Sequence, residues 1–193
     1  ISILLGNGTG GFGAATNFAV GSGPKSVVVG RFNADSFDDL AVVNVNSTDV
    51  SILLGNGTGG FSAANNITVG SQPTSIAVGR FNADAYDDLA VVNQNGNQAL
   101  NNISILLGNG TGDFGAVTTF SAGIQPVSVI VGKFNNDVFN DLAVVNLSSN
   151  NVSILPGDGA GSFGAAINFA VGSQPTSVVV GNFNADVFVD LAV

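Results

Sequence analysis

The chain has 193 residues, and 45% of them are apolar. No apolar run approaches the roughly 18 residues of a membrane span, so membrane insertion is not expected. The formal charge of −9 disfavours nucleic acid and anionic membranes as partners. His, Cys, Met, Trp and Glu are all absent, which removes imidazole and thiol chemistry and thins out the strong helix formers.

What remains is Val, Ile, Leu, Ala, Phe and Thr in short runs, punctuated by Gly, Asn, Asp and Pro. That is a strand-and-turn composition. In chain order, the first strands are expected over 2–5, 14–20, 26–32 and 39–44. Turn signals separate them: Gly6-Asn-Gly-Thr-Gly-Gly, Gly21-Ser-Gly-Pro and Asn33-Ala-Asp-Ser. The opening string Ile1-Ser-Ile-Leu-Leu-Gly-Asn-Gly then returns at Val50, Ile103 and Val152, at spacings of 49, 53 and 49 residues. The longer spacing arises between Asn93 and Asn102, where the added residues should form a loop between fixed strands. Four short strands per block of about fifty residues mark a β-propeller blade. The sequence opens at Ile1 rather than Met and reads as a mature form or a fragment.

Two further motifs recur in order. One is Gly-Asn-Gly-x-Gly-x-Phe before a strand. The other is Val-Gly-x-Phe-Asn-x-Asp-x-x-x-Asp-Leu-Ala-Val. Together they resemble the FG-GAP or VCBS-type repeat of integrin α-like propellers, across the whole chain. The resemblance implies an all-β propeller of four-stranded antiparallel blades over residues 1–193, with repeats starting at 1, 50, 103 and 152. The innermost strand would be of the 26–30 type. The second, third and outer strands would be of the 39–44, 50–54 and 69-ending types. Three blades are then whole and one is split between the termini. The termini could pair within one chain, pair between chains as a ring or fibre, or pair with neighbouring blades outside this chain. The resemblance also implies an extracellular or cell-surface location and a role in adhesion, assembly or scaffolding.

Ten of the thirteen acidic residues fall in one recurring loop. In the family this loop resembles a calcium site with oxygens at positions 1, 3, 5 and 9. Positions 3, 5 and 9 are retained as Asn33, Asp35 and Asp39; Asn82, Asp84 and Asp88; Asn135, Asp137 and Asp141. Position 1 is instead Arg31, Arg80 or Lys133, a cation where a metal needs an oxygen. The expectation is that the cation replaces the ion and pairs with the two retained Asp. The fourth copy keeps an oxygen there, so Asn182, Asn184, Asp186 and Asp190 are the calcium candidate. The competing reading is a polar turn in which Asn and Asp accept backbone N–H groups.

Gly6 to Gly11 also satisfies the G-x-G-x-x-G pattern of dinucleotide folds, but a strand rather than a helix should follow it. No residue pair stands out as a catalytic site, so a non-enzyme that requires no cofactor is expected. The expected partner is a protein or glycan ligand. A lectin with one sugar site per blade is the alternative, and a fibre built through the terminal half-blades is another.

Overall fold

The computed structural model describes residues 1–94 and 102–193, and every regular element among them is a β-strand. Three four-stranded antiparallel sheets carry most of the chain. Sheet I is β3 (Pro24–Gly30), β4 (Asp39–Asn44), β5 (Asp49–Leu53) and β6 (Asn65–Thr68). Sheet II is β7 (Pro73–Gly79), β8 (Asp88–Asn93), β9 (Asn102–Leu106) and β10 (Thr118–Ser121). Sheet III is β11 (Pro126–Gly132), β12 (Asp141–Asn146), β13 (Asn151–Leu155) and β14 (Ile167–Ala170). Two-stranded sheets flank them: β1 (Ser2–Ile3) with β2 (Thr16–Asn17), and β15 (Val179–Gly181) with β16 (Asp190–Ala192). The strand order within a sheet follows chain order, as the repeat implies. The insertion expected to loop out between β8 and β9 lies at residues outside the described set.

The second strand is the hub of each sheet. Asp39–Asn44, Asp88–Asn93 and Asp141–Asn146 are buried at every position. The run Leu-Ala-Val-Val is apolar without alternation because both of its faces are covered. One face of sheet I packs on sheet II around Val43, Ile52, Ile76 and Leu106. Sheet II packs on sheet III around Val92, Ile105, Val129 and Leu155. The two flanking sheets cap the stack: β15–β16 packs on Val145 and Ile154 through Val178 and Leu191, and β1–β2 packs on Leu40 and Leu53 through Ile3 and Phe18. The sheets meet along their first strands, β3 beside β7, β7 beside β11 and β11 beside β15.

Several strands differ from the expected bounds: 2–5 is Ser2–Ile3, 14–20 is Thr16–Asn17, 26–32 is Pro24–Gly30 and 50–54 is Asp49–Leu53, and two of these ends have a local reason. The first strand of sheet I stops at Gly30, not Phe32, because the Phe32 ring folds back over Gly30. A Cβ on Gly30 would lie 2.5 Å from that ring, so only glycine admits the approach. The third-strand ladder stops at Leu53 and resumes only as a single bridge between Gly55 and Phe61. Each first strand begins with a proline, Pro24, Pro73 or Pro126, followed by a register shift. Proline lacks the N–H for a ladder bond and is tolerated at a strand's first residue.

Candidate functional site

The recurring Asp-rich loop joins the first and second strands of each sheet. Its interior is a pair of nested turns. The Asn33 Oδ1 accepts the Asp35 N–H at 3.0 Å, and the Asp35 Oδ1 accepts the Phe37 N–H at 2.7 Å. The Asn33 amide also donates to Asp35 Oδ2 at 2.9 Å. Asn82 with Asp84, and Asn135 with Asp137, repeat all three bonds. Short polar side chains that accept from the backbone two residues on are the standard means of making such a bend.

The ninth position does something different. Asp39 is fully buried, accepting the Phe32 N–H at 2.8 Å on one oxygen and the Gly55 N–H at 2.8 Å on the other. It therefore clasps the Asp-rich loop to the glycine turn that follows the third strand. Asp88 holds Phe81 and Gly108, and Asp141 holds Phe134 and Gly157, in the same way. At Asp88, burial pushes the carboxyl above its usual value, while the N–H bonds from Phe81 and Gly108 pull it down. Asp190 keeps the first bond, from Phe183 at 2.7 Å.

The expected pairing of the cations with the retained acids is corrected by this geometry. Arg31 meets Asp38 at 3.4 Å and Arg80 meets Asp87 at 3.3 Å; neither reaches position 5 or 9. The reason is prior commitment: the position-9 oxygens are taken by two backbone N–H groups, and those of position 5 by the turn. The eighth residue is the carboxylate left facing the cation. The third loop has Asn140 there, and Lys133 has no ion pair among the described residues.

In the fourth loop, Asn182, Asn184, Asp186 and Asp190 are gathered around one turn. Asn184 accepts the Asp186 N–H, Asp186 accepts the Phe188 N–H, and Asn182 turns its amide nitrogen toward the Asp186 carbonyl. Calcium needs six to eight oxygens directed at one point. Asn184, Asp186 and Asp190 each commit an oxygen to a backbone N–H and Asn182 turns its nitrogen to a carbonyl, so the arrangement does not fit a calcium shell. Among the described residues no group of three or more acidic, imidazole or thiol side chains converges on a metal position.

The loop also ties neighbouring sheets together. The Arg31 N–H donates to Asp87 Oδ2 at 3.0 Å, and the Asn140 amide donates to the Arg80 carbonyl at 3.0 Å. The Phe32 carbonyl accepts the Gly112 N–H at 2.8 Å, and the Phe81 carbonyl accepts the Gly161 N–H at 2.7 Å. Beneath these bonds the Phe32 ring packs on Phe114, and Phe81 on Phe163, with centroids 5.5 and 5.2 Å apart. Phe32, Phe81, Phe114 and Phe163 are thus core between sheets, whereas the equivalent Phe12 and Phe183 are exposed. Phe37, Tyr86 and Phe139 lie against the glycine turn of their own sheet, at Gly57, Gly110 and Gly159. That turn is a hairpin connection: Asn56 Oδ1 accepts the N–H groups of Thr58 and Gly60, and β6 follows, so the dinucleotide pattern has no helix to serve.

A buried polar ladder escapes sequence reasoning altogether. The Asn44 amide donates to Asp49 and to Ser51 Oγ, and Ser51 donates to Asn66 Oδ1. Asn146, Ser153 and Asn168 form the same chain in sheet III. The signal was present, since an Asn closes every complete Leu-Ala-Val-Val run and Ser51, Ser104 and Ser153 stand third in their strands.

No curated protein matches the chain. The family model described as FG-GAP-like repeat matches three times, over residues 31–91, 80–144 and 133–193. Each match runs from one Asp-rich loop into the central strand that follows the next. On that match, the chain belongs to the FG-GAP-like repeat family.

Proposed function

We propose that residues 1–193 form blades of a β-propeller, and that this propeller is a non-catalytic adhesion or scaffolding module on an extracellular or cell-surface protein. Repeats of this family are common in such proteins. The observation that carries the reading is one interface made twice over. The Phe32–Gly112 and Phe81–Gly161 hydrogen bonds, with their phenylalanine pairs, join sheets I, II and III by one geometry. Blades that repeat a single interface around an axis support each other by nearest-neighbour contacts. The polar groups in which a reaction or an ion site would be sought are spent on turns and on ties between sheets. We accordingly read the module as needing no cofactor and as meeting a protein ligand on its surface.

Negative-stain class averages of the purified protein should show sheets arranged around an axis; a flat or linear stack would refute the propeller. A glycan array tests the role, with no sugar-selective signal expected. Sugar-selective binding that falls on Tyr86→Ala would replace the adhesion reading with a lectin.

A further inference from the structure

The glycine turn after the third strand surrounds one side-chain oxygen with donors. Asn56 Oδ1 accepts the Thr58 N–H at 2.9 Å, the Thr58 hydroxyl at 2.8 Å and the Gly60 N–H at 3.1 Å. Asn7 Oδ1 accepts the same set, from Thr9 and Gly11, at 2.9, 2.9 and 3.0 Å. Donors about 2.7–3.1 Å from an oxygen on which charge develops act as an oxyanion hole. The nucleophile that such a hole would serve is next in the chain. Gly57 follows Asn56, and Gly8 follows Asn7. To reach the N–H two residues on, the Asn side chain folds over the peptide between them, which brings Cγ toward the nitrogen of that glycine. Glycine has no side chain to shield this nitrogen, and the Gly57 N–H donates no hydrogen bond among the described residues. Asn56, Gly57 and Thr58 are all exposed, so water and base reach the peptide.

The fourth copy shows that the turn accepts an acid at this position. Asp158 replaces the Asn, and its Oδ1 accepts the Ala160 N–H at 2.8 Å and the Ser162 N–H at 3.0 Å. Those two bonds hold its carboxyl below the usual value. Backbone donors that favour a carboxylate at this point favour a tetrahedral oxyanion at the same point.

We propose that Asn56 and Asn7 are sites of self-catalysed deamidation. The Gly57 N–H gives its proton to solvent base, and the nitrogen forms a bond to Asn56 Cγ. The carbonyl π pair moves onto Oδ1, where the three donors meet it. Collapse restores the carbonyl, breaks the Cγ–Nδ2 bond and releases ammonia with a proton from water, leaving a cyclic imide. Water then opens the imide at either carbonyl to give Asp or isoaspartate, and nothing is oxidised or reduced. Asn109 is the internal contrast. Its Oδ1 accepts the Thr111 N–H and hydroxyl, but Asp113 stands where Gly60 does and supplies no third bond among the described residues. Gly110 is buried where Gly57 is exposed. Each event adds a negative charge to a turn that Asp39 clasps to the Asp-rich loop. The site stands whether or not the sheets form a propeller.

Incubation of the folded protein at neutral pH, followed by peptide mapping with mass spectrometry and isoaspartyl methyltransferase labelling, reads each site. Conversion is expected at Asn56 and Asn7 ahead of Asn109, and faster at Asn56 in the folded protein than in the same chain unfolded in guanidinium chloride, where the donors are not assembled. Thr58→Val removes one donor and leaves both backbone donors in place. It should slow Asn56 by about two- to tenfold, the worth of one hydrogen bond, and leave Asn7 unchanged. Thr58→Ser keeps the hydroxyl and should convert at the wild-type rate. Slower conversion of Asn56 in the folded than in the unfolded chain, Asn109 as the fastest site, an unchanged rate in Thr58→Val, or an equal loss in Thr58→Ser would each overturn the proposal.

Discussion

Asp38 and Asp39 are neighbours of identical chemistry with opposite duties, and their alanine variants should differ several-fold in cost. Asp39→Ala leaves the Phe32 and Gly55 N–H groups unpaired in a buried site. Each such orphan costs about 1–3 kcal/mol, so the pair costs about 2–6 kcal/mol. Relief of the desolvation that a buried carboxylate suffers offsets part of this, which places the expectation near the middle of that range. Asp38→Ala removes an ion pair to Arg31 at 3.4 Å in which the two side chains are 62% and 67% exposed. Solvent screening holds such a pair to about 0–1 kcal/mol. Urea denaturation of both variants measures the difference, and hydrogen exchange at the Phe32 and Gly55 amides localises it. Equal costs, or protected Phe32 and Gly55 amides in Asp39→Ala, would refute the clasp.

Three further outcomes are expected. Gly57 has φ +74° and a Cβ there would lie 2.2 Å from the Phe37 ring, so Gly57→Ala should lower stability by more than about 1 kcal/mol, read in the same urea assay. Asp158 accepts the N–H groups of Ala160 and Ser162, which hold its carboxyl below the usual value. A depressed carboxyl contributes stability above the unfolded value of about 3.9 and loses it as pH falls through the folded one. Asp158→Asn restores the residue found at Asn7, Asn56 and Asn109 and cannot titrate there. The wild type should therefore lose melting temperature relative to this variant below about pH 4 and match it at neutral pH. Calorimetric titration with calcium should show no heat and no change in melting temperature; saturable heat abolished by Asp186→Ala would establish the fourth loop as an ion site.

The central strands were legible to the residue. Asp39–Asn44 and its two complete equivalents carry an unbroken apolar run between two polar ends, and nothing else in the block does. The division of labour in the Asp-rich loop was not read, because it depends on which face of the chain an aspartate presents at a strand's first residue. Internal comparison held the answer. Position 9 is Asp in all four copies, whereas position 8 is Asp38, Asp87, Asn140 and Val189. A buried double acceptor admits one residue type; a surface partner for a cation admits several. The ion-pair expectation gave position 9 to the cation, whereas the competing polar turn, with Asn and Asp accepting backbone N–H groups, is the arrangement found.

The position-1 cations mark where the loop stopped resembling an ion site and became an interface. Arg31 contributes its backbone N–H to Asp87 of the next sheet while its guanidinium holds Asp38 of its own. Asp87 therefore serves two partners, Arg80 through Oδ1 and Arg31 through Oδ2, and Asp38 serves one. Its side chain is 20% exposed, against 67% for Asp38, which strengthens both interactions. Asp87→Ala should thus cost more than Asp38→Ala by about the 0.5–1.5 kcal/mol of a net hydrogen bond. The excess should vanish in Asp87→Asn, whose amide oxygen can still accept the Arg31 N–H. In an array held by nearest-neighbour contacts, that loss appears as faster exchange in sheet I and sheet II together. Exchange confined to sheet II would mean that the Arg31 bond carries no coupling between them.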